Sequence, residues 1–323
     1  MNLTKLLDIL KDLAVIIFGL TIALLVAEGL LRLKNSDMSN YDIEMWKYSN
    51  ELKQLSENEL IGHIHKKNSS SMLQSVEIRT NSLGLRGDES LLTCCDRSIL
   101  FLGSSITLGW GVQEKFTVSE VLNSKFQNKI AFLNGGIGNY NTVRYVKNYL
   151  NNLSGIKPET IIIQYFINDA EKLVINQGNF FLKNSQLAVT LWSVYQKTKA
   201  SLEGVSLEEY YKQVYKEDSQ GFIEMQNALD QIMEHSIEND VRVIVAMTPD
   251  IHSMNPYKFN YIHDIMEKES YQRGFEFIDL LDSFLEIDDS VDIFAMPGDP
   301  HPNKIGHMVM AEHIFAYLKE NAF

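Results

Sequence analysis

Ile99-Leu100-Phe101-Leu102-Gly103-Ser104-Ser105-Ile106-Thr107-Leu108-Gly109-Trp110-Gly111-Val112 decides how this chain is read. An apolar run enters a glycine and a serine pair, and more glycines follow. In a parallel sheet, such a strand-to-helix turn displays a serine hydroxyl at the carboxyl edge. Glycine permits the tight turn and leaves room for a substrate. The helix N-terminus beyond it favours developing negative charge. On these residues alone two readings stand: a nucleophilic serine, or an ordinary strand–helix loop in which serine caps the helix.

Three stretches downstream bear on that choice. Gly298-Asp299-Pro300-His301-Pro302-Asn303-Lys304-Ile305-Gly306-His307 precedes a final amphipathic helix pattern, Met308 to Leu318. A serine needs a base to take its proton, and histidine is the usual one. A carboxylate on the far ring nitrogen fixes the tautomer and stabilises the imidazolium. Asp299 and His301 can supply both from one loop, although Asp-x-His before a helix also suits a cap and a surface histidine. Thr160-Ile161-Ile162-Ile163-Gln164-Tyr165-Phe166-Ile167-Asn168-Asp169 reads as a buried strand ending near Asn168, whose amide can donate to an oxyanion. Phe132-Leu133-Asn134-Gly135-Gly136-Ile137-Gly138-Asn139-Tyr140-Asn141-Thr142 is another strand with a glycine-rich loop, and its backbone amides can serve the same purpose.

These four blocks, in this order, resemble those of the SGNH (GDSL-type) hydrolase superfamily over roughly residues 96 to 323. The resemblance implies that Ser105 is the nucleophile, with Asp299 and His301 completing a triad. It implies an oxyanion hole from the Ser105 amide, the Asn139 amide with Gly138 beside it, and the Asn168 side chain. Four positions depart from the family pattern. Ser104 stands where an aspartate precedes the nucleophile, and Asn139 falls where glycine is usual. Asparagine tolerates left-handed backbone and keeps its N–H. Phe166 replaces the glycine of Gly-x-Asn-Asp. Asp299 lies two residues before His301 where three is common, a spacing that resembles the membrane-linked branch modifying exported polysaccharides. The activity implied is O-acetyl ester hydrolysis or O-acetyl transfer on a cell-envelope or exported polysaccharide. The partners implied are an acylated carbohydrate and a membrane-bound O-acyltransferase as acyl supplier. Two other classes stay open: a non-catalytic glycan- or partner-binding scaffold, and a lipid-directed esterase or lipase with an apolar acyl pocket.

The 323 residues suffice for one sizeable α/β domain with additions. Hydrophobic residues make up 45% and charged residues 22%, as in ordinary globular proteins. A net charge of −13 argues against nucleic acid as a partner, since phosphate binding requires a basic face. The two cysteines, Cys94 and Cys95, are adjacent, and neighbours make strained bridges, so no structural disulfide is expected between them. His63 and His65 form a lone His-x-His without a further ligand set, so neither a metal nor another cofactor is expected. His235, His252, His263 and His313 read as surface or core residues.

Residues 1–34 read as a membrane anchor. Leu13 to Ala27 carries no charge, Glu28 interrupts, and Gly29-Leu30-Leu31 continue to Arg32 and Lys34. Leu13 to Leu31 is about 19 residues, roughly 28 Å as a helix, enough to cross a hydrocarbon core. Glu28 then sits near an interface. A cleaved signal peptide and a buried core helix are the rival readings, and Leu25-Val26-Ala27 suits a cleavage site poorly. Lys5 and Lys11 nearly balance Arg32 and Lys34, so charge sets no orientation. The family resemblance implies a catalytic domain outside the cytoplasm.

Residues 35–95 read as a polar extension, with an early helix near Asp42–Tyr48 and a strand then turn over Ile78–Gly87. Trp46 and Tyr48 read as residues that pack the extension onto the domain, the other reading being that they line a substrate groove or meet a partner. From residue 98 the pattern alternates, with strands at 98–102, 130–134, 160–166, 241–247 and 275–279, within a domain read as 96–323. Helices fall near 115–127, 142–153, 219–238, 256–273 and 304–319. This predicts a three-layer, doubly wound α/β fold on a parallel sheet, flavodoxin-like as in the family resembled. Residues 170–218 break the rhythm and read as a helical insertion over the active site, a lid or acceptor platform.

Overall fold

The structure, a computed structural model, describes residues 3–172, 179–252, 254–288, 291–296 and 301–321. Its helices in chain order are α1 (Leu3–Lys34), α2 (Tyr41–Glu51), α3 (Ser105–Leu108), α4 (Val118–Lys125), α5 (Thr142–Asn148), α6 (Phe180–Asn184), α7 (Gln186–Glu203), α8 (Leu207–Val214), α9 (Gln220–Asn239), α10 (Asn260–Gln272), α11 (Leu281–Leu285) and α12 (Lys304–Glu320). Its strands are β1 (Lys53–Leu55), β2 (His63–His65), β3 (Ser69–Leu73), β4 (Val76–Thr80), β5 (Ser98–Gly103), β6 (Ala131–Asn134), β7 (Thr160–Tyr165), β8 (Arg242–Met247) and β9 (Glu276–Asp279). The chain divides into two compact units, Met1–Lys47 with Gln177–Gly204, and Tyr48–Asn176 with Val205–Phe323.

In the larger unit, β5, β7 and β8 are apolar nearly throughout because a parallel sheet is covered on both faces. All sheet pairings are parallel, in the order β6-β5-β7-β8-β9. Counted along the sheet this is 2-1-3-4-5, the order whose switch point lies between the first and third strands, here β5 and β7. Right-handed crossovers then place α4 on one face and α5, α9 and α10 on the other. The packing agrees: α4 lies against α12, and α5 against α9. α9 presents Phe222, Met225, Leu229 and Ile232 at helical spacing, and all four are buried. On α12 the buried stripe is Met310, Ala311, Ile314 and Leu318.

Two antiparallel hairpins, β1–β2 and β3–β4, precede the sheet. Arg86 bridges both Thr80 and Asn134, which ties the second hairpin to edge strand β6 and covers its unpaired side. In the smaller unit, α1 is a 32-residue helix, the one helix among the described residues long and apolar enough to cross a membrane. The stretch 170–218 is divided: 177–204 groups with α1, and 205–218 with the sheet. The extension 35–95 likewise divides between Lys47 and Tyr48.

Candidate active site

Ser105 is the first residue of the one-turn helix α3, two residues beyond the end of β5. Gly103 allows this turn: a Cβ there would meet Thr107 Oγ1 at 2.1 Å and the Gln164 carbonyl at 2.8 Å. Two buried polar residues hold the turn. Arg86 donates to the carbonyls of Leu108, Gly109 and Val112, each at 2.7 Å. Asn134 donates to the Thr107 carbonyl at 2.8 Å and accepts from the Gly136 N–H at 3.0 Å. The Ser105 turn and the glycine-rich loop after β6 are thereby locked together.

His301 arrives from the far end of the chain. Its Nε2 lies 2.7 Å from Ser105 Oγ, and the residue is buried. The loop is pinned on both sides, with Ala295 N–H donating to the His301 carbonyl at 2.8 Å and Asn303 N–H to the Ile293 carbonyl at 2.7 Å. Asn303 then caps α12 by accepting from Ile305 N–H. Asp299, the expected third member, lies outside the described residues.

β7 pairs with β5 in register Gly103↔Gln164, so Asn168 emerges beside the Ser105 turn at the carboxyl edge. Its side chain makes no hydrogen bond among the described residues, and its Oδ1 is buried. The neighbouring Asp169 is fully buried, accepts from Phe166 N–H, and is held well above the usual carboxylate range by that burial.

The second loop differs in detail from the expectation. Gly138 N–H donates to Tyr48 Oη at 2.9 Å, so it is not an open donor. The Gly138 carbonyl accepts from Lys53 Nζ at 2.8 Å and from His63 Nε2 at 3.1 Å. A trans peptide points its carbonyl and the following N–H in opposite directions. Both donors on Gly138 O therefore turn the Asn139 N–H the other way, and that N–H has no partner among the described residues. Asn139 has φ +66°, the left-handed backbone expected for an asparagine in a glycine position.

Sequence reasoning passes over Lys53, and it reads Tyr48 as a packing aromatic and His63 and His65 as an isolated His-x-His. His65 Nδ1 donates to the Gly84 carbonyl at 2.9 Å, so its Nε2 accepts from Tyr48 O–H at 2.6 Å. The chain of donors runs from Gly138 N–H through Tyr48 to His65 and Gly84. Burial pushes His65 down to about 4 and His63 to about 2, which keeps both imidazoles neutral and suited to these roles. The His-x-His spacing thus serves backbone hydrogen bonds. Among the described residues, no group of three or more His, Cys, Asp or Glu is placed to hold a metal ion. A His–Asp pair lies beyond the end of β8, with His252 Nδ1 2.8 Å from Asp250 Oδ1, and another joins His263 Nδ1 to Asp279 Oδ1 at 2.8 Å. The His252 ring lies 5.8 Å from that of Phe294, which is bridged to Pro302.

Lys53 has a measurable signature. Burial, and then the charge of Arg144, push its ammonium from 10.5 down to about 7. Between those values the unfolded chain binds a proton that the folded chain has released, so stability rises as pH rises from about 7 towards 10. The gain is at most about 1.4 kcal/mol per pH unit for one proton. Urea unfolding at pH 7 and pH 9 should show this gain in the natural protein and lose it in Lys53→Met. Equal pH slopes in the two proteins would refute the buried-lysine assignment.

No family model and no curated protein matches the chain. Solved structures similar to it include TesA, 12% identical over 69% of this chain and 99% of that one, with a TM-score of 0.46. A catalytic mutant of Axe2, an acetylxylan esterase from Geobacillus stearothermophilus, is 18% identical over 71% of this chain and 95% of its own, with a TM-score of 0.44. The psychrotrophic esterase EstA from Pseudoalteromonas sp., inhibited by monoethylphosphonate, is 15% identical over 70% and 98%, with a TM-score of 0.39.

Proposed function

We propose that this chain is a serine ester enzyme of the SGNH type, working through an acyl-Ser105 intermediate. The observation that carries the reading is the 2.7 Å contact between Ser105 Oγ and His301 Nε2. In the proposed mechanism His301 takes the hydroxyl proton as Ser105 attacks an ester carbonyl. Asp299 orients the ring from the His301 loop. The oxyanion is held by the Ser105 N–H, the Asn139 N–H and the Asn168 amide. His301 returns the proton to the departing alcohol, leaving the acyl group on Ser105. Water or a sugar hydroxyl then takes the acyl group, which distinguishes esterase from O-acetyltransferase.

The substrate proposed is an O-acetylated polysaccharide at the cell envelope, with α1 as a single membrane anchor and the catalytic unit outside the cytoplasm. The 32-residue apolar helix supports the anchoring, since all its side chains from Lys5 to Val26 are exposed. An O-acyltransferase in the same membrane would supply acyl groups if Ser105 passes them to sugar.

Fluorophosphonate labelling of the full chain in detergent, with the adduct located by mass spectrometry, tests the reading. Covalent label is expected on Ser105, absent in Ser105→Ala and strongly slowed in His301→Ala. Folded protein that takes no label would point to the binding-scaffold alternative.

A further inference from the structure

We propose that the α6–α7 hairpin is a second membrane contact, an interfacial element. Its occupant is the headgroup–acyl boundary of a lipid bilayer, entered by Phe180, Phe181, Leu191, Trp192 and Tyr195. This rests on the reading of α1 as a membrane span.

The first observation is how the smaller unit is fastened. Glu28, the one charge that interrupts the apolar run, is the anchor point for the start of α7. Its carboxylate accepts from Ser185 Oγ at 2.8 Å, Gln186 N–H at 3.0 Å and Leu187 N–H at 2.9 Å. Arg32 donates to the same carboxylate at 2.7 Å and to the Asn184 carbonyl, the end of α6, at 3.0 Å. A carboxylate on the free N–H groups of a helix N-terminus is both solvated and favourably placed in the helix dipole. With an arginine beside it, the pair can lie at the edge of a hydrocarbon layer.

The second observation is depth. Every side chain of α1 from Lys5 to Val26 is exposed, and cover begins only at Ala27, Glu28 and Leu31. The hairpin therefore meets α1 only in its last turns, where the apolar run gives way to Arg32 and Lys34. A bilayer crossed by Leu13 to Leu31 has its boundary at that level. Phe180 and Phe181 lie within one turn of Asn184, which Arg32 holds there.

The third observation is which face of α7 points outward. Gln186 accepts from Asn35 Nδ2 at 2.9 Å, and Ser193 and Lys197 both donate to Asp42, at 2.5 Å and 2.6 Å. At 100° per residue these three side chains share one side of the helix, and it is turned towards the unit's own chain. Leu191, Trp192 and Tyr195 project from the opposite side and are 61%, 44% and 59% exposed. Phe180 and Phe181 are 72% and 68% exposed. A helix in water hides its apolar stripe, whereas on α7 Leu191, Trp192 and Tyr195 are left uncovered. Tryptophan and tyrosine are the residues that settle at a membrane–water boundary.

The test uses the full chain with Cys94 and Cys95 replaced by serine, reconstituted into phosphatidylcholine vesicles. Single nitroxide labels are placed at Phe181→Cys, Tyr195→Cys, Leu20→Cys in the span, and Ile237→Cys, which is 75% exposed on α9 of the other unit. Power saturation then compares collision with oxygen, which partitions into lipid, and with a water-soluble nickel chelate. At depths of 5–10 Å, positions 181 and 195 should show an oxygen-to-nickel ratio at least about threefold above that at 237, and below that at 20. Ratios at 181 and 195 equal to that at 237, with 20 shielded, would overturn the interfacial contact and leave the span intact. Nickel access at position 20 as well would overturn the span and the contact together.

Discussion

Replacing His301 with alanine is expected to lower kcat on a small aryl acetate by about 10⁴- to 10⁶-fold. The serine hydroxyl is a poor nucleophile until its proton leaves, and among the described residues Nε2 at 2.7 Å is the base placed to receive it. Loss of the ring removes base and acid in one step, since the same nitrogen must protonate the leaving alcohol. The protein offers a demanding control. His252 sits at the end of β8 with its own carboxylate, Asp250, and has the composition of a catalytic pair. In the proposed mechanism it is not the base, so His252→Ala should leave kcat within about threefold, in the range of a substitution away from the reacting atoms. A loss below tenfold in His301→Ala would remove His301 from the role, and a large loss in His252→Ala alone would transfer it to His252. The mass-spectrometric label on Ser105 should follow the same ranking.

The parts of this site that were legible in sequence are those whose signal is local. β5, β7 and β8 announce themselves because a strand covered on both faces is apolar without alternation. Ser105 and Asn168 follow such runs directly, and His301 stands before the last helix, so each could be placed at the carboxyl edge. In the loop after β6 the sequence narrowed the candidate donor only to within one residue. Gly138 and Asn139 read alike until Tyr48 is seen to occupy the Gly138 N–H. Position 138 also has no room for a side chain, since a Cβ there would meet Tyr48 Cε1 at 2.6 Å. Tyr48, Lys53, His63 and His65 were illegible for a physical reason: each acts on a loop 75 to 90 positions away or on another member of the cluster. No period or motif links an aromatic in an early helix to a lysine and two histidines in a hairpin. Glu28 is a similar case. Its residue type and position mark an interface, whereas its partners at Ser185, Gln186 and Leu187 lie more than 150 residues on.

Asn168→Ala should separate catalysis from stability. Removing one side-chain donor from an oxyanion hole costs about 10²–10³ in kcat, or roughly 2.7–4 kcal/mol of transition-state stabilisation. In the free protein the Asn168 side chain has no hydrogen-bond partner among the described residues, and its Oδ1 is buried. Among the described residues, truncation therefore strands no partner of Oδ1, and it removes a polar atom that has no partner there. The melting temperature should stay within a few degrees of the natural protein, or rise. KM should change by less than about threefold, because the donor meets the oxygen only when it carries charge. Asn168→Asp should be at least as damaging as alanine, since a carboxylate repels the oxyanion that the amide would hold. Steady-state kinetics on the aryl acetate, paired with thermal unfolding of each variant, reads both quantities. A rise in KM with kcat unchanged would make Asn168 a ground-state binding residue. A fall in stability matching the fall in activity would make it a structural one.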